Sequence, residues 1–132
     1  ISGACVGDGD FHHDDTVFVT HDSVEAESRQ VFKKVLRNGA TGVFQGKILV
    51  KPNAQKTDGY QISQSLLLDE DSQFLAKPEL EIYADDVACS HGSTSGAIDE
   101  EALFYLTSRG ISKLIAIDML TMAFFSRGCR RN

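Results

Sequence analysis

The sequence contains no tryptophan and only three tyrosines in 132 residues. Sugar rings are usually gripped by aromatic platforms, so this shortage disfavours a polysaccharide-binding groove. Cysteine is also scarce: Cys5, Cys89 and Cys129 are an odd number at long spacings, with no Cys-x-x-Cys. That pattern excludes a disulfide framework and a zinc ribbon, and it fits free thiols in a reducing compartment. Long apolar runs are missing too. The longest, Leu114 to Phe125, contains Asp118 and is shorter than the roughly 18 residues that suggest a membrane span. The opening ISGACVGDGDF has neither the basic nor the apolar region of a signal peptide. These absences lead us to expect a soluble, cytoplasmic chain with no membrane contact. A basic excess is lacking as well: 13 Lys and Arg face 19 Asp and Glu, a net charge of -6. No nucleic-acid partner is therefore expected. Only the tail RGCRRN is locally basic, and it reads as a solvated end. The chain begins at Ile1 with no initiator Met, which reads as a fragment or trimmed product of something longer.

What is present is one domain's worth of globular sequence, 42% hydrophobic and 24% charged, long enough for one core. The first two-thirds reads as short strands separated by turns. TVFVTH, GVFQGKILVKP, YQISQSLLLD and ELEIYADDVAC are strand-like, and RNGATG, KTDG and DEDS supply turn chemistry between them. In the last of these runs Leu80, Ile82 and Ala84 alternate with Glu81, Tyr83 and Asp85, giving one buried and one exposed face. Gly46 marks a possible bulge or bend. No long helix interrupts the strands up to Ala88. That excludes an alternating βαβ fold and favours a sandwich, barrel or solenoid. The repetition is loose, with no strict period. The segment Asp22 to Gly39 is open between helix and strand on its residues alone. After Gly96 the pattern turns helical. Asp99 is placed to cap a first helix, with Glu100 and Glu101 in its first turn, Arg109 in its last and Gly110 just beyond. Ala102, Leu103 and Leu106 make its apolar stripe. Ser112 caps a second helix, apolar on nearly all sides, which needs a covering surface from the chain's own body or from a partner groove. The expected architecture is mainly β, with residues 1–96 as the β body and residues 97–132 as a C-terminal helical segment.

Few motifs carry chemistry. Cys89 and His91 stand two apart, so on a strand both face one side, and thiolate and imidazole are natural ligands for iron, zinc or copper. Two ligands do not complete a tetrahedral site; the plainer reading is a strand end with Cys89 as a small buried hydrophobe. GDGDFHHDD resembles a metal loop, but His13 stands where an EF-hand needs Gly and Val19 where it needs Glu, leaving a polar turn between strands. GVFQGK fails as a phosphate loop: three residues, not four, separate its glycines, and Ile48 follows Lys47. No nucleophile elbow occurs. Asp85 and Asp86, being adjacent, point to opposite faces of a strand and make a poor acid–base pair.

The string KPELEIYADDVACSHGSTSGAIDEEALFYLTSRGI, Lys77 to Ile111, resembles the C-terminal part of the SufB/SufD proteins of the Suf iron–sulfur cluster assembly system. VFQGKILVKPNAQKTDGYQISQSLLLDEDSQF and GDGDFHHDDTVFVTH continue the likeness upstream, so that it covers nearly the whole chain to about Phe125. CSHG is similar to the SufD branch; the SufB branch reads Cys-Glu-His-Glu there. The resemblance implies a right-handed β-helix (β-solenoid) followed by a C-terminal helical hairpin, and so favours strand over Gln30 to Leu36. It implies a non-enzymatic scaffold with no tightly bound cofactor, which meets a transient iron or iron–sulfur cluster at an interface with a SufB-type subunit. His91 matches the family histidine at that interface as an iron ligand, with Cys89 secondary. The helices match the region that docks a SufC-type ATPase, with Asp99, Leu103, Leu106, Leu114, Met119 and Met122 as partner-binding positions. Other readings are a SufB-type cluster scaffold and a β-helix enzyme acting on polysaccharide. Two departures stand out. The family's N-terminal helical region and early rungs are absent, and SRGCRRN does not match its longer helical tail; both point to weakened SufC docking and to a homodimer when the chain is alone.

Overall fold

The computed structural model describes residues 1–127, so Cys129 and the tail beyond Arg127 lie outside the described residues. Seven strands come first: β1 (Ser2–Asp8), β2 (His12–His21), β3 (Glu27–Arg37), β4 (Thr41–Val50), β5 (Thr57–Leu67), β6 (Gln73–Ile82) and β7 (Val87–Ala97). Two helices follow, α1 (Glu100–Ser108) and α2 (Lys113–Ser126). Odd-numbered strands form one parallel sheet in the order β1-β3-β5-β7, and even-numbered strands form a second, β2-β4-β6. The chain therefore winds from sheet to sheet as a β-solenoid of about three turns.

The loose repetition in the sequence is this rung. Ser2 pairs with Val31, His12 with Thr41, Glu27 with Asp58, Thr41 with Gln73 and Thr57 with Val87, offsets of 29, 29, 31, 32 and 30 residues. The strands keep strict register, and the corners absorb the differences. Corner residues adopt left-handed backbone: Glu25 at φ 58°, Lys56 at 57°, and the Asn38–Gly39 pair at 56° and 83°. Asn and Gly are the residues that tolerate this region most readily.

Alternation decides what fills the interior. On β4 every second residue is buried, with Phe44, Ile48 and Val50 pointing inward. Phe32 meets Phe44 across the two sheets, ring centroids 4.8 Å apart. Ile48, Val50, Ala54 and Ala84 form an apolar cluster, with Leu80, Val87 and Cys89 packed on it. β3 breaks the alternation: Phe32, Lys33, Lys34, Val35 and Leu36 are all buried. Its inner face lines the solenoid, while helix α2 lies over its outer face, where Lys33 Nζ donates to the carbonyl of Phe124 at 2.6 Å and sits 5.0 Å from that ring. A strand covered on both faces loses its period of two, which is why Asp22 to Gly39 reads equally as helix. The strand over Gln30 to Leu36 is observed.

Three local expectations are corrected. GDGDFHHDD is not all turn: only the Gly9–Asp10 region bends, and His12 to Asp15 already belong to β2. Gly46 forms no bulge, since it pairs in unbroken register with Val17 and Pro78. It is small because a β-carbon there would overlap the Gln61 amide, 2.7 Å from its Cδ and Oε1. Asp85 and Asp86 lie in the corner between β6 and β7, not on a strand.

The helices follow their caps. Asp99 accepts a hydrogen bond from the Ala102 N–H at 3.1 Å, and Ser112 from the Ile115 N–H at 3.4 Å. Arg109 is the C-cap of α1 rather than part of its last turn, and Gly110 follows at φ 88°. No helix among the described residues is long and apolar enough to cross a membrane.

Candidate functional site

Inward-facing side chains of the odd-numbered sheet stand in columns, because parallel strands in register stack equivalent positions about 4.8 Å apart. One column is Ser28, Gly59, Cys89; the next is Gln30, Gln61, His91; the next is Phe32, Ser63, Ser93; then come Lys34, Ser65 and Ser95 beneath Cys5. The hydrogen bonds confirm the stacking: Gln61 Nε2 donates to Gln30 Oε1 at 2.8 Å, and Ser65 Oγ to Ser95 Oγ at 2.9 Å.

β7 ends the odd sheet and β6 the even one, so no further rung covers β7 from below among the described residues. Its inward positions are accordingly open: His91, Ser93 and Ser95 are exposed, whereas the residues above them in β5 are buried. The structure places Cys89 and His91 on one face, as their spacing requires, but in different surroundings. Cys89 packs on the apolar cluster, its Sγ 3.2 Å from where a Gly59 β-carbon would be. Burial pushes its thiol above the ordinary range, a backbone hydrogen bond from Gly59 partly opposes this, and Asp58 adds a smaller rise. Cys89 is thus a protonated, core-facing thiol, while His91 stands free at the rim. Among the described residues no three His, Cys, Asp or Glu side chains converge into a metal-holding group.

A second polar cluster sits at the opposite end of the interior, where the sequence reading placed only a turn. Lys34 is 1% exposed. Its ammonium donates to Asp15 Oδ2 at 2.9 Å, to His13 Nδ1 at 2.8 Å and to the His13 carbonyl at 3.2 Å. An ammonium only donates, so Nδ1 accepts and the ring proton lies on Nε2. The signal was available: His13 and Asp15 alternate within β2, and Lys34 interrupts an apolar strand. Cys5 stands above Lys34. Burial raises its thiol, the Lys34 charge pulls it down, and Asp15 raises it again.

The helical hairpin presents the other candidate surface. Leu114 is 77% exposed, and Met119 and Met122 are exposed too; Leu106 is half-buried, and Asp99 is spent on its cap. Leu103 corrects the expectation: at 7% exposure it belongs to the hairpin's own packing and offers little to a partner. Phe104, Tyr105 and Ile115, not singled out from sequence, are exposed. Periodicity missed Phe104 and Tyr105 because they lie off the stripe that α1 buries, and α2 has no stripe from which to read Ile115. A helix apolar all round is therefore covered on one side, with Ala116 buried and Leu120, Ala123 and Phe124 half-buried, while Leu114, Ile115, Met119 and Met122 face out.

Comparison with known proteins agrees with this architecture. Residues 1–124 match the family model described as SUF system FeS cluster assembly, SufBD core domain. The iron-sulfur cluster assembly protein SufD of Escherichia coli K12 is 43% identical over 111 residues, covering 84% of this chain and 26% of that protein. An iron-sulfur cluster assembly SufBD family protein of Synechocystis is 39% identical over 97 residues, 74% of this chain and 21% of that protein. SufD of Bacillus subtilis is 31% identical over 121 residues, 92% of this chain and 28% of its own length. The chain spans about a quarter of the length of these relatives. With a family match over nearly every described residue, a parallel β-solenoid and a helical end, the chain belongs to the SufBD family of iron–sulfur cluster assembly proteins and is SufD-like.

Proposed function

We propose that the chain acts as a scaffold subunit in iron–sulfur cluster assembly, not as a catalyst, pairing with a SufB-type subunit through the open β6/β7 end and recruiting a SufC-type ATPase through its hairpin. The observation that carries this reading is the open last strand, with His91 at its rim, on a chain of this family. An exposed strand edge leaves backbone donors and acceptors unpaired and invites another chain. His91 offers an imidazole to iron that is cargo rather than a resident cofactor, and the partner supplies the ligands this chain lacks. Cys89 is secondary, since its half-buried thiol, raised by burial, must lose a proton before it can bind metal. The exposed Leu114, Met119 and Met122 supply an apolar docking face. In the absence of a partner, two copies pairing through the same open end are the expected alternative state.

The test has two arms. Pull-down with a SufC-type ATPase compares the chain with Leu114→Asp and Met119→Asp, two exposed positions of α2. Capture by the parent chain and loss in the variants supports docking through the hairpin; equal capture rejects it. Anaerobic iron titration with a SufB-type partner compares the chain with His91→Ala and Cys89→Ser. Loss of iron in His91→Ala and retention in Cys89→Ser is expected, and unchanged binding in both removes the ligand role.

A further inference from the structure

Three buried polar atoms have no hydrogen-bond partner among the described residues: Gln30 Nε2, Gln61 Oε1 and Ser63 Oγ. Gln30 and Gln61 are fully buried and stand in one column. A buried acceptor left empty costs free energy, so Gln61 Oε1 calls for a reason. Its surroundings supply one. The Gln61 amide is laid against Gly46, whose missing side chain makes the space. Its nitrogen is committed upward, to Gln30 Oε1. The oxygen has no partner, and the next position in its column is His91. The same geometry one rung higher, two long polar side chains at paired positions of neighbouring parallel strands, closes a hydrogen bond of 2.8 Å. Gln61 and His91 stand in that same register relation.

We propose that Gln61 is the positioning residue of His91: its amide oxygen, oriented by Gln30 and seated on Gly46, accepts one imidazole N–H and so holds the ring with its other nitrogen directed out of the rim. An imidazole that serves as a ligand is commonly oriented by such an acceptor, which sets both the tautomer and the ring plane. The proposal rests on the reading of His91 as a ligand for its purpose, but not for its geometry.

The test is nitrogen-15 NMR of the full chain without metal, at about pH 8, above the ordinary histidine range. The readout is the His91 side chain: which ring nitrogen carries hydrogen, and whether that N–H is protected from exchange with water. The parent chain is expected to show one dominant tautomer and a protected N–H. Gln61→Met, which keeps the length but has no acceptor amide, is expected to lose the protection and shift toward a tautomer mixture. Gln30→Met, which frees the Gln61 amide to turn over, is expected to lose it in part. Gln61→Glu keeps an acceptor oxygen and is expected to keep the protected N–H. A folded parent chain with no protected His91 N–H, or a signal indifferent to Gln61→Met, overturns the proposal. If Gln61→Met fails to fold, Gln30→Met decides the matter. Anaerobic iron titration of the same variants with a SufB-type partner separates the two ideas. An NMR signature as expected with no iron bound at His91 sinks the ligand reading and leaves the positioning role standing.

Discussion

The solenoid interior holds two polar clusters that differ in one respect. At the β1/β2 end, the Lys34 ammonium has three acceptors from His13 and Asp15 and no donor to spare. Toward β7, Gln30 and Gln61 share one hydrogen bond and leave two amide atoms unpartnered, with Ser63 Oγ unpartnered beside them. Both are built from inward-facing residues; the first joins Lys34 of the odd sheet to His13 and Asp15 of the even one, and the second lies within the odd sheet. A saturated ammonium specifies a single packing. An unsaturated cluster, beside an open strand, keeps bonding capacity for something not yet in place. The contrast separates a polar core that holds the fold from one that prepares a site, where counting polar residues would treat them alike.

Several substitutions break or sharpen this contrast. The largest effect is expected from Asp15→Asn, which strands the buried ammonium of Lys34. Removing one member of a buried pair costs about 3–5 kcal/mol, and we expect the lower end because the Asp15 side chain is 28% exposed. The denaturation midpoint measures it, and a loss under about 1 kcal/mol would mean that the pair behaves as a surface pair. The double variant Lys34→Met, Asp15→Leu is expected to recover most of that loss, since an apolar replacement of a buried pair is often neutral. Next comes Gly46→Ala. Its new methyl collides with the Gln61 amide, and overpacking of this kind costs about 1–3 kcal/mol; thermal melts report the loss, and a neutral result would show that the amide can move aside. Gln61→Met is expected to cost about 1 kcal/mol, the low end for a buried acceptor left empty, because it strands Gln30 Oε1 but also removes one atom that had no partner. The ordering Asp15→Asn above Gln61→Met is the comparison stated as stability, and reversal of that order would refute it.

The smallest effect is a pH dependence at the outer corners. Burial acts to raise the carboxyl of Asp69, but hydrogen bonds from the Asn38 N–H, the Ser72 hydroxyl and N–H, and Gly39 prevail and hold it below its ordinary value. The Asp8 carboxyl is lowered by the Asn38 amide against a smaller opposing effect of burial, with help from Arg37. A carboxylate lowered in the folded state contributes stability that is full above its unfolded pKa and lost as pH falls through the folded one. Stability is therefore expected to hold down to the ordinary carboxylate range, near 4, and to decline below it. Asp69→Asn is expected to flatten that decline, read from unfolding midpoints across acid pH; an unchanged slope would assign the acid loss to other groups.

Much of the fold was legible in the residues. The turn signals and β-branched runs marked strands, and the caps Asp99 and Ser112 placed both helices. Asp22 to Gly39 was not legible from propensity, because Val35, on the outer face of β3, is fully buried and shares a groove with Asp118, Thr121 and Met122 of α2, a tertiary effect with no local trace. The solenoid itself came from family resemblance, since corners of varying length blur the period. At the site, spacing put Cys89 and His91 on one face, yet not into one environment: what separates them is Ile48 and its neighbours packed around the sulfur. Gln30 and Gln61 were invisible as a pair, lying 31 residues apart. His13, Asp15 and Lys34 were visible singly, and only the winding brings them together.

The unequal corners have one more consequence. A residue gained or lost at 22–26, 52–56 or 83–86 alters the count along the chain without disturbing which side chains share a column. The same change inside β5 or β7 turns every following side chain to the opposite face and removes His91 from beneath Gln61. Length variation among relatives is thus expected to collect at corners, and the alignment that matters is vertical, through the stack, rather than linear along the sequence.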